Sequence, residues 1–141
     1  MAFETSLYAY LSSKTAITNL VTMLAPCAVP PGTAYPYFTF QILSKDRGPH
    51  YKLGGPSGKC TIHLVFDIES HLYSDTVAIA EAIRNECEGF KGVMSGTTIQ
   101  RFLLDNENDQ PQPPTDNSEQ WVMCRVVEYV VDCLEPLPVP T

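Results

Sequence analysis

Between Lys59 and Ser70 the chain alternates without a break, and no other feature limits its fold as strongly. Cys60, Ile62, Leu64, Phe66 and Ile68 share one face, while Thr61, His63, Val65, Asp67 and Glu69 share the other. Successive side chains on a strand point to opposite sides, so this period of two predicts a strand with one buried face. Such a strand needs neighbours to pair with and a layer to cover its apolar side. The cover follows directly. Ser74 is a good N-cap and Asp75 suits a helix dipole. A helix is predicted to about Glu88, burying Val77, Ala80, Ile83 and Cys87, with Gly89 at the C′ position.

The same reading extends outward. Phe3, Leu7 and Leu11, then Ile17, Leu20, Val21 and Leu24, give apolar stripes at helical spacing. Ser12-Ser13-Lys14-Thr15 favours caps over helix interiors, so two short helices are expected. Pro26, Pro30, Pro31 and Gly32 oppose regular structure. From Tyr37 to Ser44 the period returns to two, with Phe38, Phe40 and Ile42 on one side. Ser44 to Gly58 reads as a long irregular loop. Thr97 to Leu104 is a third strand, and Gln120 to Leu134 a fourth, long enough for a bend or bulge. Between them, Asp105 to Glu119 holds five acids and three prolines without a base, the composition of a solvated loop. Residues 135–141 (EPLPVPT) cannot continue a sheet, because proline lacks the donor.

These elements predict one α+β domain over residues 1–141. Its antiparallel or mixed sheet has about four strands, with two to three helices on one face. The strands joined by the glycine loop are expected to pair antiparallel, as are the last two. A 141-residue chain can bury roughly 70% of its unfolded surface, enough for a core without staples. Five cysteines, an odd number without a CxxC pair, suggest buried reduced thiols. The N-terminus lacks a signal-peptide pattern, and no apolar run approaches a membrane span.

The motifs that would carry chemistry fail on spacing. GGPSGKC resembles a phosphate loop, but the first required glycine falls on Leu53 and Cys60 replaces the Mg²⁺-binding hydroxyl. The segment also leads into a strand, so no helix N-terminus would face a phosphate. His63 and Asp67 share a face but stand about 13 Å apart on a strand, too far to share one ion. Cys60 and His63 point apart, and no GxSxG elbow occurs. No catalytic, metal or cofactor residue is expected.

Charge and aromatic content point to surfaces instead. The net charge of −7 opposes general nucleic-acid binding, though it suits a wall past which DNA slides. Four of the nine basic residues, Lys45, Arg47, Lys52 and Lys59, fall within fifteen positions. Asp105, Glu107, Asp109 and Asp116 lie in the acidic segment. Tyr35 and Tyr37 open an aromatic cluster, a residue type enriched in interfaces. These ten residues are the expected inter-subunit or inter-ring contacts. Reversal of Lys45, Arg47 and Lys52 is expected to impair assembly without unfolding the monomer.

An ordered series carries a family resemblance. It runs through Tyr35-Pro36-Tyr37, then His50 and Leu53 before Gly54-Gly55-Pro56-Ser57-Gly58. It continues through the strand around Ile62, Val65 and Asp67, and through Tyr73 with a helix bearing Ala78, Ala80, Ala82, Ile83 and Arg84. It closes at Gly89-Phe90-Lys91-Gly92, with Arg125 to Val131 as the final strand. In this the chain resembles the tail-completion, or tail-terminator, proteins of long-tailed siphovirus-type bacteriophages. It departs from them in its proline-rich Ala25–Thr33, its longer acidic loop and the missing tryptophan after Phe66-Asp67-Ile68. The resemblance implies a hexameric ring that ends growth of the tail tube at its head-proximal end and meets the head-closure connector. DNA would pass through the lumen without specific binding. No membrane, cofactor or catalysis is implied, and the location is the tail–neck junction of the virion, after assembly in the host cytoplasm. A head-closure or adaptor protein, a tail-tube subunit and, distantly, a small hydrolase are the alternatives.

Overall fold

The computed structural model describes residues 2–47, 51–52, 55–56, 58–114 and 120–136. The elements run α1 (Phe3–Ser12), α2 (Thr15–Thr18), β1 (Met23–Pro26), β2 (Tyr37–Asp46), β3 (Tyr51–Lys52), β4 (Gly55–Pro56), β5 (Lys59–Ser70), α3 (Tyr73–Cys87), β6 (Gly92–Met94), β7 (Thr97–Asp109) and β8 (Met123–Leu134). Six strands form one mixed sheet in the order β1-β2-β5-β8-β7-β6, and β3 pairs with β4 separately.

The four long strands are those legible in the alternation, and both expected antiparallel pairs form. β2 pairs with β5 and β7 with β8. The spine of the sheet is β5 against β8, in unbroken register from Lys59↔Leu134 to Ser70↔Met123. The irregularity expected of the last strand lies in its partner, where β7 slips register at Ile99/Arg101 and Leu104/Asn106.

Several expectations need correction. The sheet has six strands rather than about four, because short edge strands were hidden. Met23–Pro26 forms β1, parallel to β2, where a helix end and an irregular linker were expected. Helix α2 is a single turn, and its chain leaves for the sheet edge at once. β2 extends to Asp46, so Ser44 and Lys45 are strand residues. β7 extends to Asp109, which takes Asp105, Glu107 and Asp109 out of the acidic loop. In both cases a paired partner strand supplies the backbone bonds that local composition disfavours. Helix α3 starts at Tyr73 after Leu72, so Ser74 does not cap it. Ser70 Oγ instead accepts from the Leu72 amide at 3.2 Å and donates to Asp75 at 3.0 Å. Cys27 is exposed, with φ of 64°, whereas the other four cysteines are buried and free as expected.

The core lies between the helices and one face of the sheet. Phe3, Leu7 and Leu11 of α1 and Ile79 and Ile83 of α3 cover Phe38, Phe40, Ile62, Leu64, Phe66 and Ile68. Val77 is only half-buried, and Ile79 takes the place expected for it. The break after α1 is fixed where the sequence put it, with Ser13 Oγ donating to the Tyr10 carbonyl at 2.7 Å. Phe66 stands among aromatic rings, 5.9 Å from Phe38 and 5.6 Å from Tyr129. Tyr129 in turn meets Phe102 at 5.3 Å.

Tyr129 is 1% exposed, and its hydroxyl has no hydrogen-bond partner among the described residues. A buried, unbonded hydroxyl costs about 1–3 kcal/mol of desolvation. Tyr129→Phe removes that hydroxyl and keeps the ring. The variant is expected to be more stable by about 1 kcal/mol, read from urea midpoints at equal slope. A loss of stability would mean that the hydroxyl has a partner.

Candidate functional site

The strands run between two poles of different chemistry. At one pole β5 and β7 end and β8 begins, and here aromatic side chains collect. Tyr37 lies opposite Glu69 across the β2–β5 ladder. Burial, and then a hydrogen bond to Glu69, push its hydroxyl above the ordinary tyrosine value. Tyr35 stacks on Tyr37 at 5.1 Å and meets His71 edge-on at 4.4 Å. His71 Nδ1 lies 3.1 Å from the Trp121 carbonyl oxygen. Leu72, Tyr73 and Trp121 remain 61%, 49% and 48% exposed.

One polar group anchors this pole. The Arg125 guanidinium donates to Asp109 at 3.0 Å and to the Tyr73 hydroxyl at 2.9 Å, and that hydroxyl donates to Asp109 at 2.9 Å. The bond from Arg125, with a further one from Tyr73, holds the Asp109 carboxyl below its ordinary value despite some burial. Tyr73 is therefore fixed at its tip, with the Arg125 guanidinium carbon over its ring at 5.6 Å from the centroid.

The opposite pole is ionic. Glu135 follows β8, and its carboxylate accepts from the Phe3 amide at 3.2 Å and from Lys45 at 3.1 Å, and pairs with Arg47. Lys45 also meets Glu4 at 2.6 Å. Burial alone would raise the Glu135 carboxyl, but the Phe3 amide, Lys45 and Arg47 together hold it below its ordinary value. Glu135 thus does for helix α1 what a capping side chain would do, since Ala2 offers none.

Between the poles, the sheet face opposite the helices carries Thr61, His63, Val65, Asp67 and Glu69 beside Cys124, Val126, Glu128 and Val130. Asp67, Glu69 and Cys124 bring one potential metal-ligand atom each within 4.8 Å of one another. The Cys124 thiol donates to Asp67 at 2.7 Å. Burial, and then that bond, push the thiol well above its ordinary value, so it is held protonated. Cys124 comes from the neighbouring strand, and for that reason spacing along one strand could not reveal this group.

The ten expected contact residues divide between these regions. Tyr35, Tyr37 and Asp109 fall at the aromatic pole. Lys45 and Arg47 fall at the ionic pole, paired within the chain, and exposed Lys59 starts β5 there. Asp105 and Glu107 are exposed along β7. Lys52 belongs to β3, and Asp116 lies outside the described residues. Because Lys45 and Arg47 hold Glu135, reversing their charge would act on the fold as well as on any partner. Sequence reasoning missed Glu135 and Trp121. Trp121 is the only tryptophan and sits where the acidic segment meets β8, a position that composition could have flagged. Nothing local marks Glu135, whose partners lie 88 or more positions away.

No family model and no curated protein sequence matches the chain. Among solved structures, the chain is similar to one in the virion of a native gene transfer agent particle, with a TM-score of 0.66. The likeness covers 95% of this chain and 96% of that one at 14% identity, so the two share a fold. No described helix is long and apolar enough to cross a membrane.

Proposed function

We propose that the chain is a structural protein of a phage-like virion, and specifically a tail terminator. It would form a ring on the head-proximal end of the tail tube, end tube growth and meet the head-closure connector. The observation that carries this reading is the end-to-end sharing of fold with a chain from a gene transfer agent virion. The tail-completion resemblance from Tyr35 to Gly92 adds to it independently. The surfaces fit a joint: exposed rings at one pole, and an acidic chain of net charge −7 that would repel DNA passing a lumen.

Particles assembled without this protein test the reading by electron microscopy. Overlong tails free of heads are expected. Tails of normal length beside DNA-filled heads would assign the protein to head closure instead. Loss of all tubes would make it a tube subunit. Normal, joined particles would remove the reading altogether.

A further inference from the structure

The bare face of the sheet holds two acids whose charge the chain does not balance. Elsewhere half-buried acids meet a base, as Glu4 meets Lys45, Glu86 meets Lys14 and Asp132 meets Arg101. Asp67 and Glu69 are also half-buried, yet neither forms an ion pair with another described residue. Like charges this close and partly out of water are costly unless a cation joins them.

Register brings a third donor to the pair. Glu69 lies directly opposite Cys124, and Asp67 opposite Val126, so the three side chains leave one face at the same end of β5 and β8. Asp67 and Glu69 are two residues apart, about 7 Å along the strand, where His63 and Asp67 are about 13 Å apart. Two carboxylates can bridge the shorter gap to one ion. One oxygen from each acid and the Cys124 Sγ lie within 4.8 Å of one another. Cys124 is 5% exposed, and its thiol is aimed at Asp67, with Sγ 2.7 Å from Oδ1. From β2, the Tyr37 hydroxyl bonds Glu69 and orients it, as outer-shell groups orient the ligands of metal sites.

We propose that Asp67, Glu69 and Cys124 bind one divalent cation of the zinc class, with a further coordination position open to solvent on the bare face. Zinc bonds of about 2.3 Å to sulfur and about 2.0–2.2 Å to oxygen place the donors closer together than they now stand by about 1 Å, a rotamer adjustment. A thiolate beside two carboxylates favours Zn²⁺, Co²⁺ or Cd²⁺ over Mg²⁺ and Ca²⁺, which take oxygen donors. On binding, the thiol proton leaves to solvent and the cation takes its place. The cation balances both carboxylates and ties β5 to β8 at the Met123 end. Every ligand comes from one chain, so the site does not depend on the tail-terminator reading.

Co²⁺ is the probe, because a thiolate bound to it gives a near-ultraviolet charge-transfer band. The full-length protein carries Cys27→Ser, which removes the exposed thiol. The band is expected to saturate at one Co²⁺ per chain. Zn²⁺ should displace it, and a large excess of Mg²⁺ should not. Zn²⁺ should also raise the melting temperature. Cys124→Ser should abolish the band, while Asp67→Asn and Glu69→Gln should each raise the dissociation constant at least ~10-fold. Tyr37→Phe should keep the band and weaken binding by about 10-fold. Circular dichroism checks that each variant is folded. A folded protein that shows no band at saturating Co²⁺ overturns the proposal. So does displacement of Co²⁺ by Mg²⁺, or a Cys124→Ser chain that binds Zn²⁺ as tightly by calorimetry. Either result would reduce the group to an acidic surface.

Discussion

Replacing Phe66 with alanine is expected to lower stability by about 4 kcal/mol, the range for a fully buried phenylalanine. Phe66 is 0% exposed and lies on β5, the strand between β2 and β8. Its ring meets Phe38 and Tyr129 edge-on and Phe40 at a tilt, so truncation removes three aromatic contacts together. The cavity would open in the middle of the sheet, where ladders on both sides limit collapse. For a chain of this size the loss corresponds to a fall in melting temperature of about 12 °C. Phe66→Leu should recover more than half of it. A melting temperature within a few degrees of the wild type would mean that the helical layer is loosely packed over β5.

The second large effect is expected at Glu135, although the position looks like the start of an irregular tail. Its side chain is 9% exposed and serves Lys45, Arg47 and the Phe3 amide. Lys45 is itself only 18% exposed, so losing the carboxylate strands a partly buried ammonium and uncaps α1. Removing one partner of a buried pair costs more than the pair itself contributes. Glu135→Ala should cost about 3 kcal/mol, and Glu135→Gln about half of that, because the amide oxygen still accepts from Phe3.

The acid dependence follows from the direction of the shift. The folded-state pKa of Glu135 is depressed, so its contribution is full above the unfolded value of about 4.3. It is lost as pH falls through the lower folded value. The stability gap between wild type and Glu135→Gln, measured by urea unfolding, should therefore be widest near pH 7 and close toward pH 3. A gap constant across that range would show that packing, rather than the charge, sets the cost.

These two residues also mark how far the sequence could be read. Phe66 declares itself. It sits in the apolar parity of Lys59–Ser70, and a period of two leaves no doubt about which face is buried. The four long strands, the break at Ser13 and the helix after Ser70 were legible for the same reason, since each rests on local periodicity or local capping chemistry. β1 was not legible. Met23–Pro26 contains a proline and has no alternation long enough to register, and it becomes a strand only because Tyr37–Phe40 offers it an edge. Likewise Asp105 to Asp109 looks like solvated loop until Val126 to Glu128 and Arg125 pair with it.

The site divides along the same line. The sequence by itself determined the buried face, the aromatic cluster at Tyr35 and Tyr37, and the concentration of charge in two stretches. All of these depend on residue type and short spacing. Only the tertiary structure decided that Trp121, His71, Tyr73 and Arg125 join the tyrosines at one pole. It likewise decided that Lys45 and Arg47 are neutralised by an acid 90 and 88 positions away. Cross-strand register sets which distant side chains meet, and register is fixed by the summed pairing of whole strands rather than by any one segment.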